Sequence, residues 1–136
     1  MNKISQEILY LANLLQVPAP DRFSQDWEYE LNIDSTRVNT FLDVYEMSNL
    51  SDYQKELLLK IIIEMINDSM ENGNYEIELS LIFQKVKKIL EKDFIIHKET
   101  IYRYANLDYD LSDSLLIAPF FRKFLKYQSK KTQSHT

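Results

Sequence analysis

The sequence predicts an all-α fold, and three observations carry the prediction. The first is the near absence of glycine: Gly73 is the only one in 136 residues. Glycine supplies positive-φ turns, bulges and phosphate-cradling loops, so few hairpins and no glycine-rich nucleotide loop are expected. The second is the recurrence of apolar residues at steps of three and four, the spacing of a helix with one buried face. The third is the run from Ser51 to Asn72. It opens on Ser51-Asp52-Tyr53-Gln54, a capping box of the S-x-x-Q type, and carries Leu57–Leu59 and Ile61–Ile63 in its middle. The expected architecture is a compact single-domain bundle of about six helices around a central buried helix at 52–72. Residues 1–127 form that domain, and 128–136 are expected to be a disordered basic tail.

Composition sets the outer limits. A chain of 136 residues makes one ordinary domain with a single core. Its hydrophobic fraction of 45% and aromatic fraction of 12% exceed those of disordered chains. Cysteine is absent, which excludes disulfides and thiolate chemistry. Lys3 is the only cation in residues 1–16, so the start of the chain reads as an amphipathic helix rather than a secretory signal. No apolar run exceeds five residues, where a membrane span needs about 20. No membrane partner and a cytoplasmic location are expected.

Residues 3–16 place Ile4, Ile8, Leu11, Leu14 and Leu15 on one face, and Val17-Pro18-Ala19-Pro20 is expected to end that helix. Within the next stretch, Trp27, Tyr29, Leu31 and Ile33 alternate with Glu28, Glu30, Asn32 and Asp34, a period-two pattern. The one candidate strand partner, Tyr75 to Leu81, runs directly into Ile82, Phe83, Val86, Ile89 and Leu90 at helical spacing. A helix at 76–91 and a short extended segment at 27–33 are therefore predicted. A two-stranded ribbon of 27–33 with 75–81 is the alternative.

Asp34 or Ser35 is expected to cap a helix at 35–48 with Val38, Phe41, Leu42 and Tyr45 inward. The central helix is apolar around most of its circumference, with Glu56, Lys60, Glu64 and Asp68 as its polar seam. Such a helix belongs in the middle of its domain, and Gly73 suits its left-handed C-terminal cap. His97-Lys98-Glu99-Thr100 introduces a short helix to about Asn106, with His97 as a cap residue. Asp108–Asp113 reads as an acidic turn followed by a brief helix to Ala118. Pro119 then opens a last helix at 119–128, with Phe120, Phe121, Phe124 and Leu125 inward.

No set of residues with catalytic, cofactor or metal chemistry stands out. His97 and His135 are the only histidines, and no metal-ligand spacing is present. Asp108–Asp113 resembles the front of a calcium loop, but the glycine at its sixth position is missing and Pro119 stands where a bidentate glutamate belongs. Glu64 and Asp68 lie one turn apart without the Glu-x-x-His pairs of di-metal sites. With Lys60 beside them, they read as a solvated ion-pair seam. Tyr102 and Tyr104 read as packing groups. The expected class is non-enzymatic.

Two surfaces suit binding. The net charge of −5 conceals an asymmetry: residues 1–84 carry five basic and fifteen acidic side chains, a balance of −10, and residues 85–136 carry eleven and six, a balance of +5. Asp26, Glu28, Glu30 and Asp34 cluster around Trp27 and Tyr29 and are the expected partner-binding residues. An acidic rim speeds association with a basic protein. The two aromatics are expected to pack inward. The alternative partner is nucleic acid. Lys-x-Thr-Ile-x-Arg-Tyr-x-Asn at 98–106 has the texture of a helix-turn-helix recognition helix. Lys98, Thr100 and Arg103 would face bases, and Lys85, Lys87, Lys88 and Lys92 phosphates. The acidic overall balance weighs against it.

Several segments together resemble a type of small bacterial protein of about this length. They are Gln25-Asp26-Trp27-Glu28-Tyr29-Glu30 after a proline-broken first helix, Phe41-Leu42-x-x-Tyr45 and the long capped central helix. Ile101-Tyr102-x-Tyr104-x-x-Leu107-Asp108 and Ala118-Pro119-Phe120-Phe121-Arg122 complete the pattern. In texture the chain is similar to small acidic helical immunity proteins, which neutralise a basic toxin by binding and do no chemistry. The resemblance implies a protein partner and transfers no individual residue. The basic C-terminal third departs from a uniformly acidic inhibitor.

Overall fold

A computed structural model of the chain describes residues 3–19, 27, 35–71, 77–105 and 117–133. These residues are all-α: six α-helices and one 3-10 turn, with no strand among the described residues. The backbone divides into two units, Met1–Ser69 and Met70–Thr136.

The first unit begins with α1, Lys3–Leu15. The helix ends just before Val17-Pro18, as expected, and Gln16 takes the cap position. Gln16 has a φ of 55°, its N–H donates to the Asn13 carbonyl at 3.2 Å, and the Val17 N–H donates to the Ala12 carbonyl at 3.1 Å. These two bonds are those of a Schellman cap, built on a residue whose Cβ makes the left-handed region unfavourable by about 1–2 kcal/mol. Gln16→Gly is therefore expected to stabilise the protein by about 1 kcal/mol. A urea midpoint that stays put or falls would contradict this. Arg37 supports the same helix end from outside, donating from Nη2 to the Leu15 carbonyl while its guanidinium lies 5.1 Å from the Phe41 ring centroid.

Arg37 closes a 3-10 turn, Ser35–Arg37, that leads into α2, Val38–Met47. Val38, Phe41, Leu42 and Tyr45 are buried, as their spacing predicts. Ser35 does not cap the α-helix. It opens the tighter turn, and the N-cap position falls to Arg37, which makes no side-chain cap bond. Asp34 lies outside the described residues.

The central helix, α3, spans Asp52–Glu71. Its capping box is reciprocal: the Ser51 N–H donates to Gln54 Oε1 at 2.9 Å, and the Gln54 N–H donates to Ser51 Oγ at 3.2 Å. Gln54 Nε2 also donates to the Glu7 carbonyl at 3.0 Å, fastening the start of α3 to α1. Leu57, Leu58, Leu59, Ile61, Ile62, Ile63, Met65 and Ile66 are all buried, so the apolar circumference read from the sequence is matched by burial on nearly every side. Gly73, the proposed cap, lies outside the described residues.

Trp27 is 3% exposed, and its Nε1–H donates to the Pro18 carbonyl at 2.9 Å. The indole packs inward as expected, but its backbone is helical rather than extended. The rest of 27–33 lies outside the described residues. A strand requires a neighbour to complete its hydrogen bonds, and the candidate neighbour is helical from Ile77 onward. The ribbon is thereby overturned.

The second unit contains α4 (Ile77–Lys92), α5 (Phe94–Tyr104) and α6 (Ala118–Gln133). Asp93 alone separates α4 from α5, and its carbonyl accepts the N–H groups of Ile96 and His97 at 3.0 and 3.2 Å. His97 is therefore not a cap. It is the fourth residue of α5 and is fully buried. The helix begins earlier than the sequence signal because Phe94, His97 and Ile101 share one face at steps of three and four. Phe94 and Phe124 lie 6.3 Å apart, and Tyr104 stacks on Phe121 at 5.6 Å. Arg122 Nε donates to the Ala105 carbonyl at 3.2 Å, tying the end of α5 to α6.

Pro119 occupies the first turn of α6, as its fixed φ favours. The helix then continues through Gln133, although a disordered tail was expected from 128. Once a helix is nucleated, each added residue costs little. Lysine and glutamine are good helix formers, and Lys130 places positive charge near the negative end of the helix dipole.

Candidate functional site

The four carboxylates expected to meet a partner, Asp26, Glu28, Glu30 and Asp34, lie outside the described residues. The described part of the same half nevertheless presents an acidic surface. Along α2, Asn39, Thr40, Asp43, Glu46 and Met47 are exposed, at steps that place them on the face opposite Val38, Phe41, Leu42 and Tyr45. Met47 is 85% exposed, and Asp52 is exposed at the start of α3. Tyr10 on α1 is also 51% exposed. A flexible thioether beside carboxylates is a surface that adapts to a partner. Sequence reasoning passed over Met47, although its position four residues after Asp43 places it on the outer face.

The nucleic-acid alternative divides. Lys98 and Arg103 are exposed, but Thr100 is 4% exposed. His97, Thr100 and Ile101 form the buried face of α5, so Thr100 faces away from any base, because steps of three and four put it on the inward stripe. A recognition helix reads bases with its first residues, whereas Lys98 is already the fifth residue of α5.

The remaining candidates fall on ordinary surface or core. Glu64 is half-buried and Asp68 exposed. Tyr102, expected to pack, is 51% exposed. Among the described residues no group of three or more histidine, aspartate or glutamate side chains is placed to hold a metal ion. No described helix is long and apolar enough to cross a membrane. His97 Nδ1 makes no hydrogen bond, although the residue is engaged through other interactions.

No protein-family model, curated protein or solved structure matches the chain.

Proposed function

We propose that the protein is a cytoplasmic, non-enzymatic binding module of the immunity type, which neutralises a basic protein such as a toxin by docking it on the acidic half. One observation carries this reading: the outer face of α2 sets Asp43 and Glu46 beside Met47, which is 85% exposed, within a half of balance −10. The carboxylates steer a basic partner toward the surface, and Met47 offers an apolar anchor once water is excluded.

Asp43→Lys with Glu46→Lys is expected to slow association about tenfold or more while changing dissociation far less. The wild-type association rate should also fall steeply with salt, because exposed charges are screened beyond about 10 Å at 0.1 M. The test is affinity capture by wild-type and charge-reversed chains in parallel, followed by surface-plasmon kinetics on any basic protein the wild type alone retains. Failure to retain one, or an association rate indifferent to both salt and reversal, sinks the reading.

A further inference from the structure

The second unit holds a groove between α4 and α6. Phe83 and Lys87 from α4, with Phe120, Lys123, Phe124 and Tyr127 from α6, line a cavity of about 270 Å³. The α6 residues all lie on one face of that helix. The floor is aromatic: Phe124 is 3% exposed, and the Phe83 and Phe120 rings lie 4.8 Å apart. The rim is cationic: Lys123 is exposed, and Lys87 Nζ lies 4.2 Å from the Tyr127 ring centroid. No carboxylate is among the described lining residues, and Lys88, Lys126 and Lys130 are exposed on the same two helices.

We propose that this groove binds a small amphipathic carboxylate, a free medium-chain fatty acid such as octanoate. Its chain lies on the phenylalanines, and its carboxylate pairs with Lys87 and Lys123. An apolar pocket with a few convergent polar groups is the usual form of a small-molecule site, and charge-assisted bonds from two ammoniums select an anion. The geometry does not suit a bilayer, because a helix lying on lipid turns its apolar face outward, whereas Phe124 is buried and Phe83 and Phe120 are half-buried. It does not suit a nucleobase either. Stacking needs open ring faces, but Phe83 and Phe120 already lie together and Lys87 covers Tyr127. The inference does not rest on the docking proposed for the outer face of α2.

The test is calorimetric titration of the full chain with octanoate, octan-1-ol and octyltrimethylammonium, with amide chemical shifts locating the site. Octanoate is expected to bind about tenfold or more tighter than the alcohol, with shifts clustered at 83–87 and 120–127 and no binding of the cation. Lys87→Gln with Lys123→Gln should weaken octanoate about tenfold and leave octanol unchanged. Gln84→Trp, which adds bulk at an exposed lining position, should block both. Equal affinity for acid and alcohol, undiminished octanoate binding by the double variant, or shifts elsewhere overturns the proposal. So does binding to anionic phospholipid vesicles or to an acidic amphipathic peptide without uptake of free octanoate, which would make a membrane or a protein the occupant.

Discussion

Truncating Leu58 to alanine is expected to destabilise the first unit by about 3 kcal/mol, within the usual range for a buried leucine. Leu58 is 0% exposed, and Leu57, Leu59, Ile61, Ile62 and Ile63 around it are exposed by 3% or less. The size of the effect follows from that encirclement. A helix with one wet face can shift toward the void and recover part of the lost contact. A helix buried on nearly every side cannot shift without opening a gap elsewhere, so most of the cavity persists. Asp68→Ala, at an exposed position of the same helix, is expected to change stability by no more than about 0.5 kcal/mol. Trp27 provides the readout: it is the only tryptophan, is 3% exposed, and belongs to the same unit as Leu58. Urea unfolding followed by its fluorescence should show the Leu58 midpoint falling well below both the wild-type and the Asp68→Ala midpoints. Coincidence of the two variants would mean that α3 lies open to water.

What the sequence made legible was whatever depends on residues three and four apart. The inward set of α2, the circumference of α3 and the capping box that starts it all follow from local spacing, and each appears where expected. Long-range satisfaction of polar groups was not legible. The bond from Gln54 to the Glu7 carbonyl spans 47 positions, and that from Arg37 to the Leu15 carbonyl spans 22. Neither pairing has a periodic signature. The same blindness explains His97 and Thr100, polar residues that looked suited to a helix start and a binding face. Both are buried in the middle of α5 because Phe94 and Ile101 determine which side turns inward. Gln16 is a different failure: a left-handed cap is sought at glycine, yet the geometry was taken by a glutamine. The acidic patch was legible only as charge, since exposure of Met47 is a tertiary outcome.

Gln54→Ala is expected to lower stability by about 2–3 kcal/mol, the sum of a weakened cap and a lost interhelical bond. Gln54 is 5% exposed. Its carbonyl oxygen accepts the Ser51 N–H at 2.9 Å, while its amide nitrogen donates to the Glu7 carbonyl at 3.0 Å. One side chain therefore both starts α3 and ties it to α1. Gln54→Glu separates the two roles. The carboxylate still accepts the Ser51 N–H and suits the positive end of the helix dipole, but it has no donor for Glu7 and presents an oxygen to that carbonyl instead. Its expected cost is about 1–2 kcal/mol, the part owed to the tie between helices. Ser51→Ala removes only the reciprocal bond to the Gln54 N–H and should cost about 1 kcal/mol. The order in urea unfolding should be alanine at 54 worst, with the other two between it and wild type. If Gln54→Glu proves as stable as wild type, the bond to Glu7 contributes nothing and α1 is held by its apolar face and by the bond from Arg37 to the Leu15 carbonyl.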